Sequence, residues 1–281
     1  MYKLIDSGDF QRLDKVGEYY LIRPAPQAIW KKSLPSSVWD KKDACFERNV
    51  SGGGKWHIYN SRLPKSWIID FSGLKLEIKL TGFGHIGIFP EHLFESKWIS
   101  EKISNLSFSP EILNLFAYTG FTSLLSAKHG AKVTHLDSAK GVVDWARNNS
   151  KLSGLESKPI RWIIDDVTKF VKKEIKRNKV YDAIILDPPS FGRGPDNELW
   201  KLEDHLYKLM EDLKKLFSEN FQFILISAHT PNITPLSLLN ILKDVCPNGV
   251  FESGEMTVPF EDKSKLLPCG YYARWESKSE I

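Results

Sequence analysis

The pattern of apolar and polar residues changes near residue 95 and divides the chain into two regions. Before that point, short runs rich in β-branched and aromatic residues lie between turn residues, and residues 74–80 (LKLEIKL) alternate between apolar and charged side chains. Such alternation predicts a strand with one buried and one solvated face. We therefore predict a small antiparallel β unit over residues 1–95. Its predicted strands are residues 19–24, 27–32, 55–60, 66–73, 74–80 and 85–90.

After residue 95, continuous apolar runs alternate with helical patterns. The predicted buried strands are residues 111–116, 132–137, 160–164, 181–187 and 221–227. A helix over residues 235–246 and two further strand-like runs, 250–259 and 270–275, complete the pattern. This alternation predicts an α/β domain over residues 96–281, with a mostly parallel sheet, helices on both faces and an antiparallel edge pair. Ser138 is the predicted N-cap of the second helix of this domain.

Composition and charge limit the class of protein without choosing a function. The 281 residues are 42% hydrophobic and 26% charged, and no apolar run reaches the length of about 18 residues that a transmembrane helix needs. The first residues carry charges where a secretory signal peptide is apolar, so we expect a cytoplasmic protein. The net charge of +4 permits a polyanionic partner without requiring one. Cys45, Cys246 and Cys269 match neither a disulfide framework nor a zinc spacing, and we expect no metal site.

Three predicted strand ends carry residues suited to a nucleoside, and ligands of open α/β sheets bind at that edge. The first strand leads to Gly120 without the three-glycine pattern that approaches a pyrophosphate, which disfavours a nicotinamide dehydrogenase. Asp137 ends the second strand and can accept both hydroxyls of a ribose. Asp165, Asp166 and Val167 follow the third strand. The alternative is structural in each case: a tight turn at Gly120, and carboxylates that favour a helix start.

The fourth strand ends in the most informative segment, Asp187-Pro188-Pro189-Ser190-Phe191. Two consecutive prolines remove two backbone donors and halt the strand, which directs the preceding carboxylate toward the cleft. A carboxylate beside a flat aromatic can bind an amine or a ring N–H of a planar base while the ring stacks. A simple strand-ending turn would explain the prolines, but it would explain neither the acid nor the aromatic residue.

In combination, the segments at 113–120 (LNLFAYTG), 163–170 (IIDDVTKF) and 185–191 (ILDPPSF) resemble class I S-adenosylmethionine-dependent methyltransferases. More narrowly, they are similar to bacterial 23S ribosomal-RNA methyltransferases typified by the cytosine carbon-5 enzyme that carries a PUA domain. The resemblance covers roughly residues 80 to 275. It implies a seven-stranded, Rossmann-like methyltransferase sheet with S-adenosyl-L-methionine as cofactor and RNA as substrate.

The resemblance also implies a set of site residues. The methionine part of the cofactor is expected at Asn114, Phe116, Ala117, Tyr118, Thr119 and Gly120. Asp137 is expected to hold the ribose, with Ser138 beside it in the predicted cofactor site, and Asp166 and Val167 to meet the adenine. Asp187, Pro188 and Pro189 are expected beside the methyl group, with Phe191 stacking on the acceptor. Phe89, in the segment GIFPEH (87–92), corresponds to a strand that leads onto the cofactor in relatives.

Two features depart from the carbon-5 relatives. Too few residues precede the predicted strand at 19–24 to form a PUA module, so we expect the β unit itself to bind the substrate. Carbon-5 methylation of cytosine requires a cysteine thiolate, which follows the fifth strand in relatives. Here that segment reads Ile226-Ser227-Ala228-His229-Thr230. We therefore predict that none of the three cysteines is a nucleophile and that the methyl acceptor is a nitrogen.

Other features have two interpretations each. His229 is either a general base near the groove or a loop histidine bonded to the backbone. Arg193, in a segment predicted to be a mobile loop over residues 192–197, either clamps a phosphate or is solvated. Segments 30–32, 39–42 and 55–57 interleave cations with tryptophans, which suits a single-stranded nucleic acid or a small aromatic core. The leading hypothesis is an RNA methyltransferase. The alternatives are a methyltransferase acting on a small molecule or protein, and a non-catalytic RNA-binding protein.

Overall fold

The structure is a computed structural model that describes residues 1–49, 53–194 and 199–278. The chain forms two compact units. The first unit comprises Met1–Phe94 together with Thr257–Cys269, and the second comprises Glu95–Met256 together with Gly270–Ile281. The prediction assigned residues 96–281 as a whole to one domain. The segment 257–269 instead joins the first unit, where the backbone N–H of Glu261 donates to the carbonyl oxygen of Leu4 at 2.8 Å.

The first unit is built on a five-stranded sheet in the order β1-β2-β3-β4-β5 and a two-stranded hairpin, β6-β7. The strands are β1 (Tyr2–Gly8), β2 (Gln11–Val16), β3 (Tyr19–Pro24), β4 (Ala44–Arg48), β5 (Gly54–Ile58), β6 (Ser66–Phe71) and β7 (Leu74–Lys79). A short helix, α1 (Ser36–Trp39), and a 3-10 helix at Pro90–His92 complete it. Neighbouring strands are antiparallel except for β3 and β4, which are parallel.

The first strand was predicted at residue 19, which is wrong, since β1 and β2 precede it. The sequence did not predict these two strands, because charged residues of a buried salt-bridge cluster occupy positions where an alternating strand pattern requires apolar side chains. Asp14 is fully buried, and it accepts hydrogen bonds from the Tyr2 hydroxyl at 2.6 Å, Arg12 Nε at 3.0 Å and Arg23 Nε at 2.8 Å. Buried charges of this kind persist because each has a partner. β4 was also not predicted.

Two segments of the first unit that were predicted as strands, residues 27–32 and 85–90, are described in the structure and do not form strands. Residues 27–32 form turns against the β1–β2 connection, where Asp9 N–H donates to the carbonyl oxygen of Trp30 at 2.7 Å. Residues 85–90 lead into the 3-10 helix, and Phe89 has extended backbone angles as its N-cap. Neither segment joins a ladder, and Pro26 and Pro90 each lack the N–H that a central strand needs.

The second unit is built on a seven-stranded sheet in the order β10-β9-β8-β11-β14-β16-β15. The strands of this sheet are β8 (Glu111–Leu115), β9 (Lys132–Asp137), β10 (Ile160–Ile164), β11 (Ala183–Leu186), β14 (Phe223–Ala228), β15 (Val250–Pro259) and β16 (Leu266–Glu276). The parts of β15 and β16 within residues 257–269 belong to the first unit. β12 (Phe191–Arg193) pairs with β13 (Leu199–Lys201) in a separate hairpin. Its helices are α2 (Leu93–Ser104), α3 (Phe121–Lys128), α4 (Lys140–Leu152), α5 (Val167–Lys176), α6 (Leu202–Lys214) and α7 (Pro235–Val245).

The predicted α/β class and the mostly parallel sheet are confirmed. β8, β9, β10, β11 and β14 run parallel, and β16 pairs antiparallel with β14. β11 and β14 are buried along their whole length, which explains their continuous apolar sequences. β8 lies between β9 and β11, so the strand order reverses at β8 and opens a crevice at the carboxyl edge of the sheet. No helix in the described ranges is long and apolar enough to span a bilayer.

Candidate active site

The turn between β8 and α3 is conformationally strained. Phe116 and Tyr118 have positive φ angles of 55° and 49°, and Gly120 has a φ of 90°. Bulky side chains rarely adopt this left-handed conformation, and such strain is typical of ligand-binding turns. A Cβ atom at Gly120 would lie 3.0 Å from the Cβ of Ala146 on α4. Glycine is therefore required here both by its backbone angle and by packing.

Two of the residues predicted to bind the cofactor, Asn114 and Thr119, instead make buried hydrogen bonds within the second unit. The Asn114 amide donates to Ser123 Oγ at 2.8 Å, and that oxygen lies 2.9 Å from Nδ1 of the buried His135. The carbonyl oxygen of the buried Thr119 accepts from the Asn149 amide at 2.9 Å. These contacts fix the turn against α3, α4 and β9. The structure thus places Asn114 and Thr119 behind the turn as its support.

Asp137 closes β9 beside the same turn. Its Oδ2 accepts the backbone N–H of Tyr118 at 3.0 Å, and its Oδ1 accepts that of Ala139 at 3.0 Å. Burial raises the pKa of the Asp137 carboxyl above its usual range, while these backbone hydrogen bonds oppose the shift. Ser138 is not the N-cap of the next helix, because α4 begins at Lys140 with Ala139 as N-cap.

Asp166 begins α5 as its N-cap. Its Oδ1 accepts the backbone N–H of Lys169 at 2.9 Å and also the Thr168 hydroxyl. The neighbouring Asp165 is bound by Lys173 Nζ at 2.6 Å. The structural interpretation of Asp166 therefore holds in part, since one of its oxygens caps a helix. Asp166 and Val167 nevertheless both line the groove at this edge of the sheet.

The groove brings together six of the predicted residues from four strand ends. They are Phe116, Asp137, Ser138, Asp166, Val167 and Pro189. The other predicted residues of the second unit do not line this groove in the described part of the chain; they are Asn114, Ala117, Tyr118, Thr119, Gly120, Asp187, Pro188 and Phe191. Phe89 belongs to the first unit, and its role stays a prediction.

Asp187 follows β11 and is held by residues at the end of β14. The Ser227 hydroxyl donates to Asp187 Oδ1 at 2.7 Å, and Nδ1 of His229 lies 3.5 Å from the same oxygen. The Asp187 side chain is 23% exposed and that of His229 is 31% exposed. Both side chains thus reach solvent at the carboxyl edge of the sheet. The Pro188 residue between this carboxylate and the groove is buried.

The hairpin after the double proline supplies residues that the sequence pattern did not reveal. β12 contains Phe191, Gly192 and Arg193, so Gly192 and Arg193 form a strand and not the predicted loop, whereas residues 195–197 lie outside the described residues. Arg193 and Trp200 line the groove, and the Trp200 ring packs on Phe116 with 4.9 Å between centroids. Phe191 is 55% exposed. Trp200 was missed because its segment, NELWKLED, carries no motif.

Comparison with known proteins settles the family. The sequence profile of the S-adenosylmethionine-dependent methyltransferases matches residues 54–253. The chain belongs to this family. As a methyltransferase, it uses S-adenosylmethionine as its cofactor, which confirms the enzyme class and cofactor predicted from the sequence.

Solved structures agree with this assignment. A methyltransferase of the same cofactor class from Agrobacterium tumefaciens is 34% identical, with a TM-score of 0.94 over 99% of this chain and 90% of that chain. A second from Streptococcus mutans shares the fold, at 19% identity and a TM-score of 0.74 over 98% of this chain and 74% of that one. The ribosomal RNA large subunit methyltransferase K/L of Shewanella baltica is 31% identical over 75% of this chain. The present chain spans only 31% of the length of that Shewanella baltica relative.

The groove of this methyltransferase has the chemistry that the cofactor requires. Asp137 supplies carboxylate oxygens for hydroxyl donors, and the walls at Phe116, Val167 and Trp200 are apolar or aromatic, as the adenine ring requires. The carboxylates of Asp137, Asp165 and Asp166 also favour a cationic sulfonium over an anionic pyrophosphate. The residues present therefore fit S-adenosylmethionine.

Proposed function

We propose that the protein methylates a nitrogen of a base in RNA, and that the RNA is ribosomal. The observation that carries this proposal is the position of the Asp187 carboxylate. It follows β11, directly before Pro188 and Pro189, and it is held by the Ser227 hydroxyl of β14. A carboxylate placed in this way accepts hydrogen bonds from an exocyclic amine or a ring N–H. The names of the Shewanella relatives support ribosomal RNA as the substrate.

The cysteines support a nitrogen acceptor over cytosine carbon-5. Cys246 caps α7 inside the core, and burial raises its pKa to about 12. Burial also raises the pKa of Cys269 to about 12, and that residue belongs to the first unit, as does Cys45. A thiol with such a pKa is almost entirely protonated at neutral pH, whereas the thiolate is the form that adds to a pyrimidine ring.

In the proposed mechanism, the residues of the chain mainly orient the acceptor and exclude water. Bound S-adenosylmethionine supplies an electrophilic methyl group on a positively charged sulfur. Asp137 accepts the ribose hydroxyls, while Asp187 and the Pro188 carbonyl accept N–H groups of the acceptor base. Phe191 stacks on the base. A proton released by the acceptor nitrogen is shared between Asp187 and His229, whose Nδ1 lies 3.5 Å from the carboxylate.

The test is mass spectrometry of nucleosides. Ribosomal RNA from a strain that lacks the gene is incubated with the purified protein and isotopically labelled S-adenosylmethionine, and then digested. The expected result is one labelled N-methylated nucleoside that is also present in the parent strain and missing from the deletion strain. A labelled 5-methylcytidine would disprove the nitrogen acceptor, and label confined to protein or small molecules would disprove the RNA substrate.

A further inference from the structure

The first unit contains a cleft of about 480 Å³ that is lined by two lysines. Its lining includes Gln11 from β2, Ile22 from β3, Lys32, Trp39 from α1, Lys42 and Cys45 from β4. We refer to it as the Lys32–Lys42 cleft. Its volume lies within the range of about 300–1,000 Å³ that small-molecule sites occupy. All of its lining residues belong to the first unit, so the cleft is separate from the cofactor groove.

Neutral partners orient both ammonium groups, and Lys42 has the Asp40 carboxylate as an additional, charged partner. Lys32 Nζ lies 4.0 Å from the centre of the buried Trp39 ring and donates to Gln11 Oε1 at 2.8 Å. Lys42 Nζ lies 4.7 Å from the centre of the Tyr59 ring. Cation–π contacts and an amide oxygen orient a lysine without cancelling its charge. The two cations are therefore arranged in advance for an anion.

The charge of the cleft is positive. Its one lining carboxylate among the described residues, Asp40, lies 3.5 Å from Lys42 Nζ, with 69% of its side chain exposed. A solvated ion pair of this kind contributes little. The Lys42 side chain is only 22% exposed. A half-buried cation between low-dielectric walls attracts an anion more strongly than a fully solvated one does.

Three tryptophans of this unit are anchored by hydrogen bonds from their indole N–H groups. The indole N–H of Trp30 donates to the carbonyl oxygen of Ser7 at 2.8 Å, that of Trp56 to Thr81 at 2.8 Å and that of Trp67 to Val16 at 2.9 Å. These rings are thus anchored in the unit, as in the structural interpretation of the basic and aromatic segments. Two cations of those segments, Lys32 and Lys42, line the cleft.

We propose that the Lys32–Lys42 cleft binds one nucleotide of a single-stranded segment of the RNA substrate. The phosphate lies between the two ammonium groups, and the ribose and base lie against Gln11, Ile22 and the Trp39 side of the cleft. This proposal rests on the proposed function, because it identifies where the substrate strand is held outside the catalytic groove. It assigns the first unit a defined contact with RNA that does not involve the cofactor.

The experiment compares two double variants of the full-length protein. Lys32→Gln with Lys42→Gln removes both cleft cations, whereas Lys31→Gln with Lys41→Gln removes the same charge from adjacent exposed lysines. Lys31 is 92% exposed and binds Asp9 at 2.9 Å, outside the cleft. Binding of a fluorescein-labelled, mixed-sequence 12-nucleotide RNA is measured by anisotropy between 50 and 300 mM salt, values chosen because about 0.7 ions are released per phosphate contact on single strands. Binding of S-adenosylmethionine serves as the folding control.

The cleft variant is expected to bind the RNA roughly 10- to 30-fold more weakly at about 0.1 M salt, with a salt slope shallower by about 0.7, the value for one phosphate contact. The control variant is expected to stay within about twofold of wild type, as exposed charges far from a phosphate contribute little. Equal losses of RNA affinity in both variants would overturn the proposal, since the loss would then follow from the lower net charge and not from the cleft. If the double variant misfolds, Lys42→Gln alone provides the same comparison with Lys41→Gln.

The outcomes separate this proposal from the proposed function. Labelled nucleosides in RNA, together with unchanged binding by the cleft variant, would sustain the methylation and reject the cleft. Cleft-dependent RNA binding without any methyl transfer to RNA would sustain the cleft and reject the methylation. Absence of binding of the 12-nucleotide RNA by the wild-type protein would reject the cleft, and the nucleoside analysis would still decide the methylation. Cys45 offers a direct probe because it lines the cleft: the 12-nucleotide RNA must slow its alkylation, and unchanged alkylation at saturating RNA would contradict the proposal.

Discussion

The indole N–H of Trp200 donates a 2.8 Å hydrogen bond to the carbonyl oxygen of Pro189. This bond ties β13 to the turn that follows β11. The same ring packs on Phe116 in the turn that follows β8. Trp200 therefore couples the strained β8 turn to the double-proline turn, which are the two turns expected to hold the cofactor and the acceptor.

We predict that Trp200→Phe lowers kcat while leaving the affinity for S-adenosylmethionine within a few-fold of wild type. Phenylalanine retains the packing on Phe116 but loses the hydrogen bond to Pro189, which is worth about 0.5–1.5 kcal/mol, or roughly 2- to 10-fold in rate. Steady-state methylation assays check this. Trp162→Phe on β10 is the matched control and is expected to leave kcat unchanged. An unaltered kcat in Trp200→Phe would remove Trp200 from the positioning of the turn.

Asp187→Ala separates acceptor binding from cofactor binding. We expect turnover to fall at least about 100-fold, because misplacing the acceptor by about 1 Å has effects of that size. Cofactor affinity, measured by calorimetry, is expected to stay near the wild-type value. Asp204→Ala on α6, where the side chain is 62% exposed, is the control. A collapse of cofactor affinity with normal turnover at saturation would show that Asp187 serves the cofactor instead.

Asp137→Ala is expected to weaken binding of both S-adenosylmethionine and its demethylated product. Charge-assisted hydrogen bonds contribute about 1.5–3 kcal/mol, so the loss should be roughly 10- to 100-fold. Calorimetry with both ligands provides the measurement. Asp144→Ala on α4, whose side chain is half-exposed, is the control. Equal affinities in folded Asp137→Ala and wild-type protein would exclude Asp137 from the cofactor site.

The raised pKa of Asp137 predicts the pH dependence of cofactor binding. The ionised carboxylate accepts hydroxyl donors, so affinity is expected to be constant near neutral pH and to fall as the pH drops through the Asp137 pKa. Because burial raises that pKa, the fall begins above the usual value of about 3.9. In the ligand-free protein the sign is opposite, since a raised pKa lowers stability as the pH rises from about 3.9 through the folded value. Calorimetric titrations at several pH values, with Asp137→Asn as a pH-independent reference, check this.

The cysteines are predicted to be dispensable for chemistry. A variant with Cys45→Ser, Cys246→Ser and Cys269→Ser is expected to retain methyl transfer, with some loss of stability at the buried Cys246 position. RNA substituted with 5-fluorocytosine is expected to form no covalent adduct with the wild-type protein. A gel-stable adduct that disappears in Cys269→Ser would restore the carbon-5 mechanism.

The sequence alone indicated the α/β architecture of the second unit because its central strands, such as β11 and β14, are buried on both faces. Continuous apolar runs such as residues 223–228 leave no choice of face, and the polar residues at their ends mark the ligand edge of the sheet. Asp137, Asp166 and Asp187 could therefore be placed at that edge, and the motifs at 113–120 and 185–191 indicated the methyltransferase family and its cofactor.

Tertiary structure decided what depends on contacts distant in sequence. Arg12 and Asp14 of β2 are buried as a pair, so the polar sequence of this region resembles that of a solvent-exposed segment. Only the fold shows that Tyr2 and Arg23 complete the buried cluster. Trp200 reaches the groove only because β13 folds back on β12, a pairing that its polar sequence does not encode. Likewise, Lys32 and Lys42 belong to one cleft only after β2, β3 and α1 assemble. A periodic pattern of apolar residues predicts which face of a strand or helix is buried. The partner of a buried charge or of a surface cation depends instead on residues distant in sequence, which only the folded structure brings together.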